Sequence, residues 1–413
     1  MRVLLIGTGG REHALAVALA ADPSVEELIC APGNPGMATV GTIRPVVATD
    51  PAAVAALAVE TGVDLVVVGP EAPLVAGVAD AVRAKGIPCF GPSAQAARIE
   101  GSKAFAKQIM SAAGVPTADA RLCRTDAEVT EALDEFGAPY VVKDDALAAG
   151  KGVVVTDDRD TAKTHAAGCD AVVVEEYLSG PEVSLFVITD GHSAVPLLPA
   201  QDFKRLRDDD LGPNTGGMGA YTPLPWADAN LVDDIMKQVA HPTLAELAEL
   251  GEPFVGALYC GLALTPDGIK VIEFNCRFGD PEIQAVLSLL ETPLAGLLYA
   301  AARGELADHP PLTWRAGSAV TVVQAAEGYP EQPITGRVVH GAESPGVLQA
   351  GTARDEQGNL VTAGGRVLNL TATGDDLSAA REAVYRLAER VGFEGAQFRT
   401  DIARRAAGES KPA

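Results

Sequence analysis

The chain has 413 residues, too many for one ordinary hydrophobic core, so roughly two to four domains are expected. Hydrophobic residues make up 47% and charged residues 21%, which excludes a disordered chain. Fifty-five acidic residues against 32 basic ones leave a formal charge of -23, a field that repels phosphodiester backbones and anionic bilayers, so neither nucleic acid nor a membrane is an expected partner.

Six cysteines, at 30, 89, 123, 169, 260 and 276, stand singly with no C-x-x-C, which predicts reduced thiols in a cytoplasmic protein, with neither disulfides nor zinc. Met1-Arg2 leads directly into a short apolar strand rather than a signal peptide's longer apolar region. No apolar run is long enough to cross a bilayer.

Apolar runs at Val3–Ile6, Glu27–Ala31 and Leu65–Val68 alternate with helical stretches at Arg11–Ala21, Pro51–Glu60 and Leu74–Lys85, which predicts a parallel sheet. The first strand feeds Gly7-Thr8-Gly9-Gly10-Arg11-Glu12-His13, glycines at a strand-to-helix turn where backbone can approach a phosphate. Glycines serving only a tight turn make the same pattern. A nicotinamide cofactor is disfavoured, because the second strand ends Ile29-Cys30-Ala31-Pro32-Gly33 without the acidic residue that holds ribose hydroxyls. His13 fits an orienting or binding role, since nothing marks a partner for it as a base. Gly91-Pro92-Ser93 closes this unit; Gln95–Glu100 and Ser102–Ala113 read as helix, with a boundary near 101.

Strand and helix then alternate as far as Glu175-Glu176. Tyr140-Val141-Val142-Lys143 reads as a buried strand ending in a lysine, which at a strand end can face inward and meet phosphate. The loop Leu147-Ala148-Ala149-Gly150-Lys151-Gly152 has small residues whose N–H groups can fold over phosphate oxygens, with Lys151 adding charge; an ordinary polar hairpin loop is the alternative. The strand Val172–Val174 runs into Glu175-Glu176-Tyr177-Leu178 and Glu182, groups able to meet an adenine edge and ribose hydroxyls or to form a solvated turn.

Long strands dominate from Glu182 to Asn275, interrupted by a polar stretch, Asp208–Gly219, and a helix at about Asp228–Leu250. Asp202, Lys204, Asn214 and Thr215 on the polar loop are candidates for holding substrates, with a lid as the alternative. In Lys270-Val271-Ile272-Glu273-Phe274-Asn275-Cys276-Arg277, strand period places Glu273 and Asn275 on one face, two hard oxygen donors suited to magnesium on a triphosphate. Arg277 is next on that face if the strand persists, and there it would neutralise a transferring phosphoryl group. A polar edge strand is the alternative. Helices at Pro281–Leu290 and Pro293–Arg303 precede the linker Asp308-His309-Pro310-Pro311. A small α+β unit follows, with strands at Ala319–Ala325, Arg337–His340 and Arg366–Thr373 and a helix at Leu377–Val391.

Taken together, G-T-G-G-R-E-H, V-G-P-E-A-P-L-V (68–75), G-S-K-A-F (101–105), L-A-A-G-K-G, G-P-N-T-G-G-M-G-A-Y, E-F-N-C-R-F-G-D-P-E, A-G-T (350–352) and G-G-R-V-L (364–368) resemble the phosphoribosylamine-glycine ligase family over nearly the whole chain. The resemblance implies an α/β and α+β multidomain fold. Residues 1–101 would form a Rossmann-like domain, 102–307 an ATP-grasp domain with a lid at about 115–180, and 308–413 a small C-terminal domain. It implies ligation of glycine to 5-phosphoribosylamine with ATP, through a glycyl phosphate, in a monomer or weak homodimer. Lys103, Lys143 and Leu147–Gly152 would contact phosphates, Glu175, Glu176, Tyr177 and Leu178 adenine, and Glu182 ribose. Glu273 and Asn275 would hold Mg2+ or Mn2+, and Lys143 and Arg277 would be the catalytic cations. Gly9, Gly10, Arg11 and Glu71 would line the phosphoribosylamine side, with Asp202, Lys204, Asn214, Thr215 and Gly216 on the substrate loop. The rival readings are another ATP-grasp ligase or carboxylase and a catalytically silent nucleotide-binding protein.

Two departures from the family stand out: the connection from Lys163 to Asp170 is short, and Ala146 occupies a position where glycine is usual. Alanine stiffens the entry to the phosphate loop and strains any left-handed conformation there. Ala146→Gly is expected to change the KM for ATP or kcat; identical values in steady-state kinetics would discard the effect.

Overall fold

A computed structural model of the chain describes residues 1–146 and 152–409. The N-terminal part is a parallel sheet of β1 (Arg2–Gly7), β2 (Glu27–Pro32), β3 (Thr42–Ile43), β4 (Leu65–Val68) and β5 (Cys89–Phe90) in the order β3-β2-β1-β4-β5. Val3, Leu4, Leu5 and Ile6 are all fully buried, because helices cover both faces of such a sheet. Helix α1 (Gly10–Ala21) follows β1. The expected helix Leu74–Lys85 is instead two, Glu71–Val75 and Val78–Arg83, because Gly77 between them sits at φ 90° and breaks the turn.

Two antiparallel sheets follow. One runs Ala120–Cys123, Val172–Glu175, Tyr140–Asp144, Val153–Thr156 and is backed by helices Asp126–Phe136 and Arg159–Ala167, with its own core around Val129, Leu133, Val142 and Val174. The other runs Ala194–Pro196, Glu182–Asp190, Val255–Thr265, Gly268–Asn275. The expected helix Asp228–Leu250 comes as Leu231–Ile235, a π turn at Met236–Ala240, and His241–Glu249. Pro242 has no N–H for the ordinary i→i−4 bond, and a wider turn just before it accommodates that loss.

A further sheet contains Gln201–Asp202, Gly219–Thr222, Ser318–Ala325, Arg366–Gly374 and Val347–Gln349, so strands from either side of the 308–311 linker pair with one another. Helix Leu377–Ala388 buries Leu377, Ala380, Val384 and Leu387 at helical spacing, and Asp376 caps it by accepting from the Ala379 N–H at 2.8 Å. The strand expected at Arg337–His340 is reduced to Val339–His340. The six cysteines are free, and among the described residues no helix is long and apolar enough to cross a membrane.

The C-terminal strands dock on α1. The Gln349 N–H donates to His13 Nδ1 at 2.7 Å, and Asn34 Nδ2 donates to the Gln349 carbonyl at 2.9 Å. Contact is close enough that a Cβ on Gly10 would stand 1.8 Å from Asn369 Nδ2, so only glycine fits there. Burial pushes the His13 imidazole down to about 4 from an ordinary 6.5, and a donor into Nδ1 requires that nitrogen unprotonated. The unfolded chain takes up this proton first, so the stabilisation is complete above pH 6.5 and lost as pH falls from 6.5 through about 4. It amounts to at most about 3 kcal/mol. In thermal melts across that window, wild type is expected to lose stability relative to His13→Gln; parallel curves would mean His13 is not the titrating group.

Candidate active site

A cavity of about 990 Å³ lies between the 120–175 sheet, the 182–275 sheet, the N-terminal part and the C-terminal tail. Its floor is strand Gly268–Asn275. The register there shifts, so that Gly261 faces Glu273 and Leu262 faces Val271, leaving Ile272 as the extra residue of a bulge. The Ile272 carbonyl accepts from Lys143 Nζ at 2.8 Å. Lys143 Nζ also meets Glu175 Oε2 at 2.7 Å, the two side chains being 5% and 4% exposed, and Lys107 Nζ reaches Glu175 Oε1 at 3.1 Å. Lys107 is further satisfied by the Ala118 carbonyl and Thr117 Oγ1, and burial lowers its pKa against the pull of Glu175.

Glu273 and Asn275 project together, with Asn275 Nδ2 at 3.5 Å from Glu273 Oε1. Burial raises the Glu273 carboxyl, but Lys204, Lys143, Lys103 and Arg277 outweigh it and hold the group below its ordinary value. An ionised carboxylate beside an amide suits a divalent ion that takes its remaining ligands from water and phosphate, while the surrounding cations suit the phosphate. Among the described residues no cluster of three or more His, Cys, Asp or Glu forms a full protein cage. Lys204 Nζ pairs with Glu182 Oε2 at 2.6 Å; its pKa stands well above the ordinary value because Glu182 and Asp202 outweigh burial. Asp202 is pushed up to about 7 by burial, against Lys204 and with help from Glu282, Glu182 and Glu273. Tyr259 OH and Ser184 Oγ lie 3.0 Å apart, and Ser184 reaches Glu282 at 3.3 Å.

The strand stops at Asn275, so Arg277 is not the next side chain on the Glu273–Asn275 face. Its guanidinium turns to the N-terminal part, donating to Glu100 Oε1 at 2.7 Å and Glu71 Oε2 at 3.2 Å. Arg11 bonds Glu12 at 2.6 Å and the Phe278 carbonyl at 2.8 Å, and Arg277 and Arg11 bring the Glu71 carboxyl to about 2 against burial. Gly9 and Gly10 sit just behind this network rather than in the cavity wall. The Gly9 N–H donates to Glu12 at 2.6 Å and the Arg11 N–H to Asp280 at 3.1 Å, so two of the turn's amides already face carboxylates.

Lys103, Gly152, Glu175, Glu176, Tyr177, Leu178, Glu182, Asp202, Lys204, Asn214, Thr215 and Gly216 all border the cavity. Lys103 Nζ donates to the Ala146 carbonyl at 3.2 Å, and Glu176 pairs with Lys270 at 2.9 Å. Leu147, Ala148, Ala149, Gly150 and Lys151 lie outside the described residues. Non-glycine residues with left-handed φ among those described are Asp209, Asp210 and Ala403; Ala146 is not one of them, so it carries no left-handed strain. Sequence reasoning missed Lys107, Glu100, Arg366 and Tyr329. Lys107 lies one helical turn after Lys103 in Lys103–Ala112, a signal that was readable. Arg366 bonds the carbonyls of Gly216, Gly217 and Asp280, and Tyr329 OH accepts from the Gly216 N–H at 3.0 Å; both reach the loop from the C-terminal part.

Two antiparallel sheets facing each other over a cation-lined cleft, with a Glu and an Asn donor on the floor, define an ATP-grasp enzyme. The chain belongs to the phosphoribosylglycinamide synthetase family: models of its N domain, ATP-grasp (A) domain and C domain match residues 1–100, 101–283 and 319–405. It is 61% identical to a phosphoribosylamine–glycine ligase of Streptomyces coelicolor over 99% of this chain and all of that protein. The crystal structure of a phosphoribosylamine–glycine ligase from Thermotoga maritima superposes with a TM-score of 0.86 at 34% identity, covering 98% of this chain and 100% of that one. A biotin carboxylase domain from Hydrogenobacter thermophilus, in complex with MgADP and bicarbonate, shares the fold alone, with a TM-score of 0.72 at 17% identity over 96% of this chain and 91% of that one.

Glu175 neutralises two lysines in a water-poor wall, and removing one partner of a buried pair costs about 3 kcal/mol or more. Glu175→Gln is therefore expected to lower the apparent Tm in calorimetry. An unchanged transition would show that the lysines find other counter-charges.

Proposed function

We propose that this protein joins glycine to 5-phosphoribosylamine at the expense of ATP, giving glycinamide ribonucleotide, ADP and phosphate, the second step of de novo purine synthesis. The observation that carries the reading is one cavity into which Lys103, Lys107 and Lys143, the Glu273–Asn275 pair and the substrate loop all open. Full-length similarity to proteins named phosphoribosylamine–glycine ligase supports the choice of substrates.

In this reading ATP lies between the two antiparallel sheets. Lys103 and Lys143 approach its phosphates, the segment Glu175–Leu178 meets adenine, and Glu182 meets ribose. Glu273 and Asn275 would hold Mg2+ or Mn2+, which when bound supplies charge neutralisation on phosphoryl oxygens. Asp202 and Lys204 offer opposite charges side by side, suited to the ammonium and carboxylate of zwitterionic glycine. Among the described residues the Asp202 carboxylate has no hydrogen-bonding partner, so it faces the cavity ready for a donor. Positioned there, a glycine carboxylate oxygen attacks the γ-phosphorus and ADP leaves. The ribosylamine nitrogen then attacks the acyl carbon, phosphate leaves and the nitrogen gives up a proton. Enclosure protects the acyl phosphate from water. Arg11, Glu71 and Arg277 border the opposite end, where the phosphoribosylamine would enter. The charge of -23 supports an enzyme acting on small molecules rather than on nucleic acid or an anionic membrane surface; in this reading it works in the cytoplasm as a monomer or weak homodimer.

Phosphate release from ATP is expected to require glycine and freshly generated phosphoribosylamine together. Release with neither substrate, or with bicarbonate in place of glycine, would overturn the assignment and favour a carboxylase.

A further inference from the structure

The C-terminal tail forms one wall of the cavity, through Arg399, Asp401 and Ala403–Ala406. Arg399 is the largest fully buried side chain among the described residues, at 1% exposure. Its Nε and Nη2 donate to the two oxygens of Asp401, both at 2.7 Å, and its Nη1 donates to Asp210 Oδ1 at 2.7 Å and to the Arg205 carbonyl at 3.2 Å. The guanidinium carbon lies 4.8 Å from the centre of the Phe203 ring. A planar cation with its fork saturated and its face stacked has little freedom left.

Around it the tail grips all three residues of the turn Asp208–Asp210. The Thr400 N–H donates to Asp208 Oδ1 at 2.7 Å, the Asp209 N–H to Asp401 Oδ2 at 2.9 Å, and Arg404 Nη2 to Asp209 Oδ1 at 3.1 Å. Asp209 and Asp210 are held at φ 57° and 55°, a conformation costly for non-glycine residues, which surrounding bonds must hold in place. Tyr385 fixes the tail in turn: its OH donates to the Arg399 carbonyl at 2.9 Å and accepts from the Ile402 N–H at 3.1 Å. Phe203, under the guanidinium, stands between Asp202 and Lys204.

We propose that Arg399 is a positioning residue for the substrate loop: the tail clasps the Asp208–Asp210 turn, and the Arg399–Phe203 stack sets where Asp202 and Lys204 point. Arg399 touches none of Lys103, Lys143 and Glu175 among the described residues, so it governs the glycine side of the cavity and leaves the nucleotide side alone. This rests on the function proposed above, in which Asp202 and Lys204 receive glycine.

The test uses the full-length enzyme, with KM for glycine and for ATP measured separately. Arg399→Gln is expected to raise the glycine KM about tenfold or more while the ATP KM stays within about twofold, and Arg399→Lys, which keeps the charge but not the fork, to recover part of the loss. The paired variant Asp208→Asn/Asp210→Asn removes both negative charges and one acceptor oxygen from each side chain on the loop side, where Asp210 is 69% exposed and folding is not at stake. It should shift the glycine KM in the same direction and speed amide hydrogen exchange across residues 205–214. Equal changes in both KM values, or no change in either, would overturn the proposal. If wild-type turnover proves independent of glycine, the functional reading fails instead. The clasp is then judged by exchange alone, upheld if the paired variant opens 205–214 and overturned if it does not.

Discussion

A buried ammonium group must have its charge met, and Lys143 meets that demand in a way that organises the molecule. Its Nζ lies 2.7 Å from Glu175, on the neighbouring strand of its own sheet, and 2.8 Å from the Ile272 carbonyl, on the floor of the other sheet. One side chain thus ties the two halves of the cleft together. The floor can accept this bond because a bulge leaves Ile272 unopposed, and the same bulge is followed at once by Glu273 and Asn275. One local irregularity thus brings the lysine beside the carboxylate–amide pair, whose shared face follows from the strand's own period of two. On the proposed reading, an arriving polyphosphate would compete with Glu175 and Ile272 for Lys143, an exchange of partners rather than creation of a new charged site.

The C-terminal part completes the site. Its strands pair directly with Gly219–Thr222, His13 accepts from Gln349, and Arg366, Tyr329 and Arg399 all reach the loop between Asp202 and Gly217. The expected loop Asp208–Gly219 is for this reason not irregular. Arg205–Arg207 and Leu211–Asn214 pair as a short hairpin around the Asp208–Asp210 turn, and each end of it is anchored from the C-terminal side. A hairpin this short does not hold its shape alone, so the ordering comes from outside it.

What was legible in the sequence divides along physical lines. Buried strands with unbroken apolar runs, such as Val3–Ile6 and Leu65–Val68, and the period-2 pairing of Glu273 with Asn275 depend on local pattern and were readable. Features that depend on partners distant in the chain were not. Nothing near Arg277 indicates that its guanidinium turns back to Glu71 and Glu100, some 206 and 177 residues away, and nothing near Arg399 points to Asp210. The break at Gly77 and the π turn before Pro242 lay between these cases. Both were marked by a glycine or proline inside a helical pattern, but which local geometry resolves the mark depends on packing.

The chain's acidity takes on a specific meaning within the cavity. Arg11, Arg277, Arg366, Lys107, Lys143 and Lys204 line it, and each has a carboxylate within 4.0 Å. Without those partners the desolvated cations would repel one another and the cleft would open. With them the wall is close to neutral at rest, yet dense in groups able to turn toward an anion. An excess of acid across the whole protein does not oppose anion binding in such an arrangement. It supplies the counter-charges that let these cations share one cavity, and specificity then lies in which pairs a ligand can part. The Arg11, Arg277 and Arg399 guanidinium groups each meet two carboxylates, and such doubly paired groups serve best as fixed structure. Among the described residues Lys103 donates to the Ala146 carbonyl and forms no ion pair, which leaves its charge available to an incoming phosphate.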